Sequence, residues 1–176
     1  MAVILAIIFG CGSSSSSPGS AAETAGTAQK AADGAALTRF VERGDELCRV
    51  GDAAIRPINE RGAEIQRRHR GSGDEAVLLA PVLREGLRIY RRYLRRFERI
   101  PPPPREIAQV NAILAGLRKV GEDIERLAGA VVRGELAQVR AITSEREVDH
   151  ARVSAQELEL GLKICGQPPA QPSVSG

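Results

Sequence analysis

Residues 37–65 read LTRFVERGDELCRVGDAAIRPINERGAEI, and the spacing inside this stretch decides the fold. Leu37, Val41, Gly44, Cys48, Gly51, Ile55, Ile58, Gly62 and Ile65 recur at alternating steps of four and three. That is one face of an amphipathic helix, arranged as a heptad-like seam. Glycine within a helix costs about 1 kcal/mol against alanine. Gly44, Gly51 and Gly62 on the seam therefore predict that another backbone approaches this helix closely. Pro57 has no N–H and its ring meets the carbonyl four residues back, which predicts a kink. Arg67, Arg68 and Arg70 suit a helix C-terminus, and Gly71-Ser72-Gly73 stops the helix.

Working outward, the same period returns three times. A second helix, capped by Asp74 and running to about Ile100, has the seam Leu79, Leu83, Gly86, Tyr90, Tyr93, Phe97 and Ile100. Pro81 lies near its opening turns, where proline is best tolerated. Pro101 to Pro104 form a stiff turn. A third helix begins near Pro104 with Ile107, Val110, Leu114, Leu117, Gly121, Ile124, Ala128 and Val131, and Gly134 breaks it. A fourth places Ala137, Ala141, Ser144, Val148, Ala151, Ala155, Leu158, Leu162 and Cys165 on one seam, ending at Gly166 and Pro168-Pro169. Ser144-Glu145-Arg146-Glu147 has capping-box spacing, so a break near Thr143 is one expectation. Amphipathic helices joined by short turns predict an all-α fold, an antiparallel up-down-up-down four-helix bundle over 37–165. Residues 11–36, rich in Ser, Gly and Ala, read as a disordered N-terminal tether, and residues 166–176 as a disordered C-terminal tail.

The composition agrees. The chain is 43% hydrophobic but only 3% aromatic, with no Trp, so its core must be aliphatic. A net charge of +3 and a pI of about 9.0 are too mild to imply nucleic acid. Nearly all the positive charge is Arg, the lysines being only Lys30, Lys119 and Lys163.

Residues 1–10 carry an apolar run from Ala2 to Phe9, followed by Gly10 and Cys11. The run is far short of the ~20 residues that span a bilayer as a helix. It resembles a bacterial lipoprotein signal peptide, with Ile8, Phe9, Gly10 and Cys11 at the lipobox positions. That resemblance implies that Cys11 carries a diacylglyceryl thioether and becomes the mature N-terminus. Phe9 is bulkier than the usual residue there. No Lys or Arg precedes the apolar run, which leaves a start upstream of Met1 as an expectation. The implied location is the extracytoplasmic face of the bacterial cell membrane, with the membrane as a partner through the lipid anchor.

An odd number of cysteines in an exported chain asks for an explanation. Lipidation of Cys11 leaves Cys48 and Cys165 as a pair, and an exported location permits a disulfide. In the expected bundle the first and last helices are antiparallel neighbours, and the two cysteines fall at one level. The alternative is two buried free thiols. Cys48 early in the first helix, with the closing Leu160-Gly161-Leu162-Lys163-Ile164-Cys165-Gly166, resembles uncharacterised helical lipoproteins of high-GC Gram-positive bacteria. The resemblance implies an address and a fold, and no activity.

Little chemistry is written in the chain. Glu147-Val148-Asp149-His150 matches one Glu-x-x-His of a di-iron bundle. Such a site needs a second motif and two more inward carboxylates. His69 follows Gln66 at that spacing, and the first three seams carry no acid, so a solvated His150 is the expectation and no metal or cofactor is implied. No phosphate-cradling loop, zinc spacing or catalytic triad is present, and Ser13 to Ser17 belong to the tether. No enzyme is expected, a metal-dependent one being the remote alternative. The unusual surface feature is Arg84, Arg88, Arg91, Arg92, Arg95, Arg96 and Arg99 on the second helix, off its seam. Either they bind anions, with Arg88, Arg91, Arg92 and Arg95 at the centre, or they are a solvated face paired with Glu85, Glu98, Glu157 and Glu159. The sequence therefore predicts a membrane-tethered binding or structural module of the cell envelope. Its candidate partners are anionic lipid, wall polymer or an envelope protein.

Overall fold

The computed structural model describes the backbone of residues 19–167 and the side chains of residues 28–167. Four helices follow one another: α1 (Gly19–His69), α2 (Glu75–Phe97), α3 (Ile107–Arg133) and α4 (Leu136–Leu160). Among the described residues there is no strand. The chain divides after Ala32 into two compact units. The described part of the first unit, residues 19–32, is helical. The expectation of a tether through Ala36 is corrected here, since residues 19–36 are helix. Alanines such as Ala21, Ala22, Ala25, Ala28, Ala31 and Ala32 explain it, because alanine has the highest helix propensity. The lipobox and the serines up to Ser17 lie outside the described residues, as do residues 168–176 of the expected tail.

The second unit is an all-α, up-down-up-down bundle. Its pairings run antiparallel, as the residue numbers show. Along α1 and α2, Phe40 meets Phe97 edge-to-face with ring centroids 5.7 Å apart. Further along, a Cβ placed on Gly51 would lie 3.5 Å from Tyr93, and one on Gly62 would lie 3.6 Å from Val82. Side chains of α2, not its backbone, fill the space at the seam glycines, so the close backbone approach expected there is not made. α1 continues through Pro57 without interruption. Between α2 and α3, the Tyr90 hydroxyl donates to the Leu117 carbonyl at 2.7 Å, and Arg91 pairs with Glu125 at 2.6 Å.

The core gathers Phe40, Phe97, Ile100, Val110, Ile113, Leu117, Val153, Leu160 and Leu162. Truncating a buried Phe to Ala costs about 3–5 kcal/mol, so Phe40 and Phe97 carry a large share of this unit's stability, which corrects the expectation of a purely aliphatic core. The first two expected seams hold, with Phe40, Val82 and Leu87 added at their edges. The third holds except at its first residue, Ile107, which is exposed because α3 only begins there. Asp74 occupies the N-cap of α2 but makes no side-chain cap bond. Instead a Glu75 carboxylate oxygen accepts from the Gly71 N–H at 2.8 Å.

α4 departs from expectation in register. Ala137, Ala141, Ser144, Val148, Ala151, Ala155 and Leu158 are all exposed, while Ile142, Val153, Glu157 and Leu160 are buried. Polar residues on the inward side are held by α3. Lys119 Nζ donates to Asp123 Oδ1 at 2.8 Å and pairs with Asp149 at 3.5 Å, and Arg126 bridges Asp123 and Glu145 at 2.9 and 3.1 Å. Asp123 is completely buried, and these two cations compensate its charge. The expected break near Thr143 is absent. Its hydroxyl donates back to the Val139 carbonyl at 2.8 Å, a bond compatible with a continuous helix.

Both α3 and α4 close with paired reversed bonds at a left-handed glycine. At Gly134 (φ 71°), Gly134 N–H donates to Val131 and Glu135 N–H to Ala130. At Gly161 (φ 97°), Gly161 N–H donates to Leu158 and Leu162 N–H to Glu157. The second cap corrects the expectation that the last helix runs to Cys165. The chain turns at Gly161 and doubles back, touching Val41, Gly44 and Asp45 of α1 in turn. Its far end touches α4: a Cβ on Gly166 would lie 2.8 Å from the Ser154 carbonyl, so only glycine fits. The segment 161–166 thus joins α1 to α4.

Candidate anion-binding face and the disulfide beneath the closing segment

The arginines of α2 follow from its two-sided pattern. At 100° per residue, Arg88, Arg92, Arg95 and Arg99 form one stripe opposite Tyr90, Tyr93 and Phe97, with Arg84 and Arg91 on one flank and Arg96 on the other. All seven are exposed. From Arg84 to Arg99 the face is about 22 Å long at 1.5 Å per residue.

Their expected partners are mostly engaged elsewhere. Glu85 pairs with Arg61 and reaches Arg88 only at 3.9 Å. Glu98 receives Arg118 at 2.8 Å. Glu157, expected as a neutralising neighbour, is only 3% exposed and turned into the core, which corrects that assignment. Glu159 is exposed and pairs with none of the arginines among the described residues. Of the four central arginines, Arg91 has Glu125 and Arg88 has the long contact to Glu85. Arg92 and Arg95 have no ion pair among the described residues, and the same holds for Arg84, Arg96 and Arg99. The face is a concentration of largely uncompensated positive charge.

Cys48 and Cys165 form a disulfide, with an S–S distance of 2.05 Å and Cα atoms 5.2 Å apart. Cys165 reaches α1 from the closing segment rather than from a helix. Asp45, one turn before Cys48, positions it: its carboxylate accepts from the N–H groups of Lys163 and Ile164 at 3.2 and 2.9 Å. Behind the bridge, the Tyr93 hydroxyl lies 3.3 Å from Cys48 Sγ. Burial, reinforced by the negative charge of Glu157, pushes the Tyr90 and Tyr93 phenols well above their ordinary range. Burial, with Asp45 adding to it, pushes the Glu157 carboxyl up to about 7.

Sequence reasoning missed Asp45 and Asp123 and gave Glu157 the wrong role. Asp123 could have been found from Lys119 and Arg126, at spacings that share a helix face. Asp45 and Glu157 carry no local signal, because the closing segment and the register of α4 create their roles.

Glu147 and His150 are exposed on α4. The His150 ring is nonetheless partly screened from water, and that screening, with the nearby Arg146, pushes its pKa down; its Nδ1 lies 3.5 Å from Ser154 Oγ. No group of three or more His, Cys, Asp or Glu able to hold a metal occurs among the described residues. A shallow groove of about 300 Å³ between α3 and α4 is lined by residues including Gly116, Lys119, Arg152 and Gln156. Among the described residues no helix is long and apolar enough to cross a membrane.

The fold and this face define a class, an all-α bundle stapled by an internal disulfide. No family model, no curated protein and no solved structure matches the chain.

Proposed function

We propose that this chain is a membrane-tethered helical lipoprotein that works by binding rather than catalysis, docking on anionic lipid headgroups through α2. The observation that carries the reading is the exposed, largely uncompensated arginine face. Anionic lipid attracts each nearby basic residue by about 1 kcal/mol, within roughly a Debye length of the surface. Several arginines on one rigid helix present that charge together. Two sequence features support the address: the lipobox-like Ile8-Phe9-Gly10-Cys11, and a cysteine pair suited to an oxidising compartment.

The test uses the full chain carrying Cys11→Ser, so that no lipid anchor contributes. It should bind vesicles containing phosphatidylglycerol more tightly than neutral ones and release as salt rises. Replacing Arg88, Arg91, Arg92 and Arg95 with Gln should abolish the preference and leave helicity unchanged. Equal binding to neutral and anionic vesicles would refute the headgroup reading. A preference for wall polymer over vesicles would move the ligand there.

The anchor is tested separately, by metabolic labelling with a fatty acid. The wild type should be labelled and the Cys11→Ser chain should not. An unlabelled wild type ends the lipoprotein reading.

A further inference from the structure

α4 has a second ordered face. Ala141, Ser144, Val148, Ala151, Ala155 and Leu158 keep the alternating steps of a two-stranded seam, yet all are exposed. They lie on the side of the helix away from Ile142, Val153 and Leu160. Large apolar groups are among them: Val148 is 58% exposed and Leu158 52%, and Leu136 at the helix start is 71% exposed. A packed monomer has no use for such a period on its outside, whereas a helix pair does.

The flanking charges say which helix completes the pair. Arg140 and Glu147 lie along one edge of the seam, and Glu145 and Arg152 along the other. When two copies of one helix pack in parallel, the residue before Ala141 or Val148 faces the residue five further on in its partner. Arg140 then meets Glu145 of the second copy, and Glu147 meets Arg152. Two-fold symmetry makes each pair twice, and every one is attractive. In the antiparallel arrangement that keeps the same seam layers, Val148 against Ala151 and Ala141 against Leu158, only Glu145 and Arg152 would meet, and Arg140 and Glu147 would find no opposite charge. Arg140 and Glu147 have no ion pair among the described residues. Glu145 and Arg152 are held at 3.1 Å by Arg126 and Asp149 but remain 50% and 66% exposed.

We propose that α4 docks in parallel on α4 of a second copy of this chain, through the face from Ala141 to Leu158. The pairing does not depend on the membrane reading. It is compatible with that reading, because a two-fold axis along the helices leaves equivalent ends of both copies on one side.

The experiment is sedimentation of the full chain with Cys11→Ser over a range of concentrations. A reversible monomer–dimer equilibrium is expected. Combining Arg140→Glu with Glu147→Arg keeps the net charge but turns every cross-pair repulsive. It should weaken the dimer by about tenfold or more, as should Val148→Asp. All three positions are exposed, so the melting curve of dilute monomer should not move. Ala151→Cys, on the seam, should form a disulfide with its own counterpart under mild oxidation. A monomer at every concentration overturns the proposal. A dimer indifferent to the charge exchange, or one that Ala151→Cys fails to cross-link, overturns it as well.

Discussion

α2 and α4 have similar lengths and opposite logics. α2 separates its residues cleanly: aromatic and aliphatic groups inward, arginines outward. α4 carries its most regular apolar period on the outside and turns Asp149, Gln156 and Glu157 toward its neighbours. α2 is held by packing, through Phe97 against Phe40 and Tyr90 against Leu117. α4 is held by a charged network with α3, by a few buried apolar residues and by a closing segment bolted to α1. The lesson is that heptad spacing alone does not say which face of a helix is buried. In α2 the heptad face meets the rest of its own bundle, and in α4 it meets solvent in the single chain.

The largest effect that would sharpen this comparison concerns the bolt. The Cys48–Cys165 bridge spans 117 residues of sequence, which the chain-entropy model values at up to about 4–5 kcal/mol. Combining Cys48→Ala with Cys165→Ala should lower the melting temperature substantially. It should also raise hydrogen exchange in the last turns of α4 before the centre of α2. Uniform exchange across both helices would break the contrast.

Next in size is a register test. Ile142→Ala should cost about 2–5 kcal/mol, because Ile142 is buried with Leu127 and Ala130. Val148→Ala should change the stability of the dilute monomer by less than about 0.5 kcal/mol, as for other exposed positions. If the two costs are exchanged, α4 buries its Val148 face and the contrast with α2 disappears.

The smallest effect concerns Glu157. Its carboxyl titrates near 7 in the folded chain, against 4.5 for an ordinary glutamate. The folded state therefore holds a proton that the unfolded chain gives up. Stability should fall as pH rises between those values, by at most about 3 kcal/mol. Glu157→Gln should flatten that slope and stabilise the protein above pH 7, as followed by denaturant titrations across pH. An unchanged slope would mean that Glu157 is ionised throughout and that α4 tolerates a buried charge without help.

The sequence makes the first three helices legible because their apolar residues are large and their polar residues sit off the seam. Leu79, Tyr90 and Phe97 leave no second choice of face. In α4 the inward residues include acids, and the outward ones are small and evenly spaced, so periodicity favours the wrong side. The disulfide partners are legible from cysteine counting, but the route to Cys165 is not. A positive φ at Gly161 makes that route, and the helical period continues past it in sequence. The N-terminal extension of α1 was hidden by Ser and Gly among alanines that are strong helix formers. The exposure of the seven arginines was legible, because none of them falls on the seam. Their supposed partner Glu157 was misplaced together with the register of α4.

The bridge also sets a path for mechanical load. A pull between a point before Cys48 and a point beyond Cys165 passes from one sulfur to the other. The chain between them lies outside that path and feels no tension. Anything that tugs the protein from its two ends would strain the early part of α1 and the Asp45 contacts. α2, α3 and α4 would stay slack inside a covalent loop, with the arginine face still in its folded arrangement.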